Sequence, residues 1–207
     1  MGSKKALIKS SVLTNPKKVA KLIAKNKVSN AMTDEIEIVV EHKFLGLKSR
    51  SMGAWKWDYA YRPNGQNPVH IIAKEKKTKK YLLILQPRAP INGKNLVLSF
   101  PAGLIDKGET AKEAAIREMI EETGFTPENV ISYKKQFPKS AGLTNESAFV
   151  VECDVNGKNK NKPKLEPDED IYSLWMSIEE FWESYPKMAE NIVIEYDLFM
   201  FMLGKRV

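Results

Sequence analysis

At 207 residues, 43% hydrophobic and 9% aromatic, the chain is long enough for one sizeable core, or for one core with a small appendage. Its net charge of +7 invites nucleic acid as a partner, but only five of the 33 basic residues are arginine, the side chain suited to bidentate phosphate contacts, so nucleic acid is disfavoured. No apolar run approaches the ~20 residues of a membrane span, no signal-peptide pattern opens the chain, and the single cysteine, Cys153, excludes an internal disulfide; the expectation is a cytoplasmic protein without a membrane partner.

Residues 1–30 are polar and lysine-rich, with one short helix predicted after Asn15-Pro16. Ile36 to Val40 reads as a strand. Residues 54–62, AWKWDYAYR, alternate strictly, with Trp55, Trp57, Tyr59 and Tyr61 on one face of a strand. Pro63-Asn64-Gly65 breaks it. VHIIAK (69–74) and YLLILQ (81–86) predict a hairpin whose tip is the lysine tract 74–80, and NLVLSF (95–100) predicts another strand, ended by Pro101-Ala102-Gly103. The second lysine tract, 158–164, reads as a mobile solvated loop.

A helix is predicted from Thr110 to Thr123, because Thr110 and Glu113 form a capping-box pair and Gly124 suits a left-handed stop. Strands near 131–137 and 147–155 follow, then a polar loop to Asp170, a strand at 171–177 and a helix from Ser177. A last helix is predicted from Glu190 to Leu203, with Ile192, Tyr196, Phe199 and Leu203 at helical spacing. Cys153, inside an apolar strand, reads as a buried inert thiol. Interleaved strands and helices predict an α/β fold with a mixed sheet covered by helices.

The helix carries a feature that packing does not explain. Ala115, Ile116, Met119 and Ile120 form one apolar arc, and Glu118, Glu121 and Glu122 crowd beside it. Arg117 can pair with Glu121 or Glu113, but Glu118 and Glu122, four apart, repel one another and have no evident partner on the helix. A solvated acidic face gains nothing from this. A hard divalent cation such as Mg²⁺, which takes oxygen ligands, would account for it. With only His42 and His70 available, a histidine-rich zinc or iron site is improbable.

The segment GLIDKGETAKEAAIREMIEETGF, residues 103–125, resembles the Nudix box. Gly103, Glu109, Arg117, Glu118, Met119, Glu121, Glu122, Gly124 and Phe125 stand at the pattern's fixed positions. The resemblance implies a Nudix fold, with a mixed sheet sandwiched between α-helices and here a small N-terminal β region. It implies hydrolysis of a nucleoside diphosphate linked to another moiety, with Mg²⁺, or Mn²⁺, as cofactor. Glu118 and Glu122 would ligate the metal with Glu121 assisting, the Ala102 carbonyl would complete the site, and Arg117 and Glu109 would brace it.

Outside the box, FPAGLID (100–106), WDYAYR (57–62) and QPRAP (86–90) resemble the ADP-ribose pyrophosphatase branch. That likeness assigns Trp57, Asp58 and Arg62 to the base and its surroundings, Arg88 to the diphosphate, and Leu104 and Ser140 to the substrate. Trp55, Tyr59 and Tyr61 fit a core or a subunit interface as well. The branch's late acidic loop maps onto LEPDEDI (165–171), giving Glu169, then Glu166, as general base. Its members are homodimers, so residues 1–65 are expected to form a dimerising, base-contacting region and 66–207 the hydrolase domain. One departure stands out: Ala141 replaces the proline of a Pro-Gly-x-Ser-like loop, which leaves room for nucleotide sugars other than ADP-ribose. The competing readings are a ligand sensor without turnover and a hydrolase of dinucleotides or capped RNA.

Overall fold

The computed structural model describes residues 15–24, 32–91, 96–167 and 169–206, so the sequence-based readings of residues 1–14 and 25–31 lie outside it. The chain divides into two compact units, one of residues 1–64 with 140–145, the other of residues 65–139 with 146–207.

The smaller unit holds α1 (Pro16–Ala24) and an antiparallel sheet of β1 (Met32–Glu41), β2 (Gly46–Met52) and β3 (Trp55–Tyr61). The sequence reading missed β2, because GLKSRSM has neither apolar alternation nor β-branched residues. Its partners on both sides supply what local propensity lacks. At its start, Gly46 lies under the Tyr61 ring, where a Cβ would come within 2.5 Å of the ring carbon.

The larger unit is built on a mixed sheet. Its main path runs β12 (Val193–Ile194), β6 (Leu96–Ser99), β5 (Tyr81–Pro87), β4 (Pro68–Glu75), β10 (Ser147–Lys160), β8 (Phe125–Ser132). Off this path, β11 (Tyr172–Met176) pairs with β5, β7 (Ala102–Leu104) with β4, and β9 (Phe137–Pro138) with β10. The β4–β10 and β6–β12 pairs are parallel. Among the described residues, three α-helices complete the unit: α2 (Ala111–Glu118), α3 (Ile178–Asn191) and α4 (Tyr196–Gly204).

Strand periodicity sorts the two faces. Val69, Ile71 and Ala73 of β4 and Leu82 of β5 pack with Ala114, Ala115 and Met119 of the box helix. Tyr81 and Leu83, one residue out of phase, pack with Phe181 of α3 and with Leu198 and Met202 of α4. The sheet is thus sandwiched between helices, an α/β architecture.

Four element assignments differ from the sequence reading. The 69–86 hairpin closes at its tip, with Lys74 opposite Tyr81, but the strands then part, and β5 takes β6 and β11 as neighbours. Strand β8 begins at Phe125, earlier than the 131 start expected, directly after the Gly124 stop. Strand β10 runs through the polar tract to Lys160, where Phe125 pairs with it, so a partner's backbone overrides a lysine-rich composition. The last helix starts at Tyr196 rather than Glu190: α3 extends to Asn191, and Val193 and Ile194 form a short parallel strand on β6.

Candidate active site

The box is organised by one arginine. Arg117 donates from Nε to Glu109 Oε1 at 3.0 Å and from Nη2 to Glu109 Oε2 and the Leu104 carbonyl, both at 2.9 Å. Its Nη1 donates to Glu118 Oε1 at 2.8 Å and to Glu121 Oε2 at 3.1 Å. One guanidinium therefore ties β7, the loop after it and the helix together, which is the planar multi-donor geometry that lysine cannot reproduce. These bonds hold Glu109 below the usual carboxylate range. Glu118 thus has a partner that helix geometry alone did not reveal, since Arg117 is its immediate neighbour. Glu113 does not reach Arg117; its carboxylate accepts from the Thr110 amide at 2.8 Å and closes the capping box.

After Glu118 the helix widens into a single π-helical turn, Met119–Thr123, and stops at Gly124 with φ of 75°. A Cβ at Gly124 would lie 2.0 Å from the Asn161 carbonyl oxygen, so glycine is required by φ and by space together. Gly103 matters for another reason: a Cβ there would lie 1.9 Å from the Glu118 carboxyl carbon. Its absence lets that carboxylate rest against the backbone of β7.

Glu122 is only 5% exposed. The Ala102 amide donates to its carboxylate, while Oε2 has no hydrogen-bond partner. Burial, then the Glu118 and Glu169 charges, push Glu122 up to about 8, against the opposing pull of the Ala102 amide and Arg88. Glu118 is also pushed up, chiefly by burial, with Arg117 opposing and the Glu121 and Glu169 charges adding to the rise. A buried carboxylate raised by the charge of a half-buried one beside it makes an unstable arrangement by itself. A hard divalent cation would reverse both shifts, and the oxygen donors of Glu118 and Glu122 suit such an ion. Among the described residues no group of three or more His, Cys, Asp or Glu is arranged to hold a metal ion, so a backbone oxygen or substrate would have to add to the two carboxylates.

Glu169 lies on the loop before β11, where its carboxylate accepts from the Glu166 amide at 3.0 Å and its amide donates to the Glu166 carbonyl at 3.0 Å. Its charge reaches both Glu118 and Glu122. Arg88, exposed just past β5, is felt by Glu122 and also by His70 and Glu195. The sequence reading gave His70 no role in the site beyond its histidine count, and passed over Glu195. Burial, then the Lys139 charge, lower His70 to about 4, and burial raises Glu195. A lone polar residue in an apolar strand, as His70 is in VHIIA, is the only sequence signal for either.

The remaining predicted residues lie in the smaller unit. Trp57 is 39% exposed, with its ring 5.6 Å from that of Trp55. Its Nε1 donates to the Gly142 carbonyl at 3.2 Å. Residues 140–145 dock on β3 through Ala60 N to Leu143 O at 2.9 Å and Asn145 N to Ala60 O at 3.3 Å. The loop that carries Ala141 in place of proline is therefore bonded to the tryptophan assigned to the base. Ser140 is exposed, and its carbonyl accepts from the Leu143 and Thr144 amides at 2.9 Å. Asp58 accepts from Ser49 Oγ at 2.6 Å, and Arg62 follows the end of β3, half-buried. Cys153 is buried and its thiol pushed up to about 12 by burial, so it is inert as a nucleophile. No helix among the described residues is long and apolar enough to cross a membrane.

Comparison with known proteins gives a consistent outcome. The NUDIX domain family matches residues 65–195, more than half of the chain. A Caenorhabditis elegans protein named "Putative nudix hydrolase 2" is 31% identical over 175 residues, 80% of this chain and 78% of that protein. The ADP-ribose pyrophosphatase of Saccharomyces cerevisiae is 32% identical over 148 residues, 66% of this chain and 63% of that protein. A crystal structure of an ADP compounds hydrolase superposes with a TM-score of 0.63 at 19% identity, covering 84% of this chain and 92% of that one, a likeness of fold.

Proposed function

The chain belongs to the Nudix family, and from that premise we propose that it hydrolyses the diphosphate bond of ADP-ribose or a related nucleoside diphosphate sugar with Mg²⁺, releasing a nucleoside monophosphate and a sugar phosphate. The observation that carries the proposal is the buried Glu122 carboxylate with its unpartnered oxygen, set beside Glu118 and within reach of the Glu169 charge. The name of the yeast relative supports the substrate class.

Glu118 and Glu122 would hold the cation, with Glu121 assisting and the Ala102 carbonyl adding a fourth oxygen source. When bound, such an ion supplies charge neutralisation on diphosphate oxygens and makes water a better nucleophile. The chain's own residues do the rest. Arg88 binds the diphosphate, and Leu104 and Ser140 line the substrate. Glu169 accepts the proton of the attacking water, with the Glu166 amide holding its carboxylate in place. Trp57 stacks on the base, Asp58 accepts from it, and Arg62 contacts the substrate. Arg117 and Glu109 keep the carboxylates in register throughout.

The smaller unit would serve base recognition and pairing with a second copy. Ile36, Ile38, Val39 and Val40 of β1 and nearby Phe44 and Leu45 are 42–65% exposed, an apolar surface that a homodimer would cover. The lone cysteine, which leaves no internal disulfide to form, fits a reducing, cytoplasmic site of action.

Product release from ADP-ribose, ADP-glucose, GDP-mannose, UDP-glucose, diadenosine polyphosphates and capped RNA, with Mg²⁺ and with Glu122→Gln as control, tests the reading. Preference for ADP-ribose, giving AMP and ribose 5-phosphate, supports it in full. Preference for another nucleotide sugar moves attention to the Ala141 loop, and an absence of turnover overturns it in favour of a sensor.

A further inference from the structure

Three buried side-chain polar atoms among the described residues have no hydrogen-bond partner: Gln86 Nε2, Ser99 Oγ and Glu122 Oε2. Their residues are 6%, 4% and 5% exposed respectively. Buried polar groups in folded proteins are almost always paired, so each orphan calls for a cause. Two of them, Gln86 and Ser99, are neighbours on one side of the sheet.

Strand register places them on that side. Leu82 of β5 faces the box helix, so Ile84 and Gln86, two and four residues on, face it too. Ile84 lies opposite Ser99 and Gln86 opposite Val97, which makes Gln86 and Ser99 diagonal neighbours on the same face. Leu98 and Phe100, which flank Ser99, point the other way, into the α3–α4 core. Glu122 follows three residues after Met119, which is packed in the same layer. Two chain links connect Glu122 to the pair. Ser99 stands three residues before Ala102, whose amide donates to Glu122. Gln86 stands two residues before Arg88, whose charge Glu122 feels.

The three atoms are also complementary. An amide nitrogen can only donate, an ionised carboxylate oxygen can only accept, and a hydroxyl does either. A cation among them would face the amide hydrogens of Gln86, whereas a water would accept from Gln86, donate to Glu122 and exchange with Ser99, the two to four partners a buried water requires.

We infer that Gln86 and Ser99 form a polar backing to Glu122, joined to its outer oxygen by an ordered water, and that this backing sets how tightly the carboxylate holds a divalent cation. The inference rests on the metal-binding reading of Glu122 given above. Gln86 and Ser99 are positioning residues that act through Glu122. Groups that orient a metal ligand in this way typically govern affinity by roughly ten- to a hundredfold.

The test is a Mn²⁺ titration of the full chain, free ion being read by electron paramagnetic resonance, on wild type, Gln86→Met, Ser99→Ala, Ser99→Thr and Glu122→Gln. Methionine keeps the length of glutamine without its donor, and threonine keeps the hydroxyl that alanine removes. Gln86→Met and Ser99→Ala are expected to weaken Mn²⁺ binding on the order of tenfold, with Ser99→Thr near wild type. A crystal structure should show a water bonded to all three atoms. If Gln86→Met does not fold, Ser99→Ala against Ser99→Thr decides. Wild-type affinity in both Gln86→Met and Ser99→Ala, with Glu122→Gln impaired, overturns this inference and leaves the metal reading standing. Indifference to Glu122→Gln, or a wild type that binds no Mn²⁺, overturns the metal reading and this inference with it.

Discussion

The box segment 103–125 and the strand 55–61 both carry residues assigned to the site, but they are built by different means. In the box, the side-chain bonds of Arg117 and Thr110 reach residues at most thirteen positions away: Arg117 to Glu109, Leu104, Glu118 and Glu121, and Thr110 to Glu113. The charges are buried or half-buried and hold one another. In the strand, Trp57 and Asp58 are exposed, and the tryptophan's bond is to Gly142, 85 positions away. A site of the first kind is preorganised by the folding of one local segment. The second kind depends on a distant loop and on what covers an apolar surface. Metal chemistry should therefore tolerate little substitution, and base recognition considerably more.

The largest effect should come from Glu122→Gln, which removes a charge from the proposed metal site. Turnover is expected to fall on the order of 10²- to 10³-fold, measured as kcat on the preferred substrate with saturating Mg²⁺. A fall of less than tenfold would mean that the box is not the chemical centre. Arg117→Ala should act on stability as well as activity. It leaves the Leu104 carbonyl without its side-chain donor and Glu109 with the Asp106 amide alone, and breaking a partly buried ion pair in this way costs ~3 kcal/mol. Urea unfolding of metal-free protein would show it. A loss below ~1 kcal/mol would mean that the loop is held by its backbone bonds alone.

Glu122 and His70, strongly shifted groups that titrate between pH 4 and 9, do so in opposite senses. Glu122, raised to about 8, contributes stability that is fully present below the ordinary carboxylate range and is lost as pH rises through 8. His70, lowered to about 4, contributes stability present above the ordinary imidazole value and lost as pH falls through 4. Metal-free protein should be most stable near pH 6, with the His70 limb worth up to about 3 kcal/mol. Thermal unfolding across pH 4–9 measures both limbs. Glu122→Gln should flatten the alkaline limb alone and His70→Gln the acid limb alone.

The same contrast explains what could be read in the sequence. Box spacing, the capping box at Thr110 and the stop at Gly124 were legible because their partners lie within one or two helical turns. Strand β2, the continuation of β10 to Lys160 and the break at Val193 were not, since each owes its form to a strand elsewhere in the chain. The π-helical turn was invisible for a related reason: the helix widens where its end is tied to Asn161 and Lys164, through Asn161 N to Gly124 O at 2.7 Å and Lys164 N to Glu121 O at 2.8 Å. Gln86 and Ser99 did leave a trace. Each is the lone polar residue near the end of an apolar strand, but a strand end is where a polar residue is ordinarily least informative.

Trp57 offers the smallest effect and the finest division. Trp57→Ala should raise KM for the nucleotide substrate on the order of tenfold with kcat nearly unchanged, because a stacked base is worth ~1–3 kcal/mol. Trp57→Phe keeps an aromatic face and loses only the Nε1 bond to Gly142. An exposed neutral hydrogen bond is worth about 1 kcal/mol or less, so KM should rise by no more than about fivefold. If phenylalanine is as damaging as alanine, the indole matters through its grip on the 140–145 loop, and Ala141→Pro, which stiffens that loop, should restore part of the loss. If phenylalanine is nearly silent, stacking alone carries the residue, and loop and base act independently.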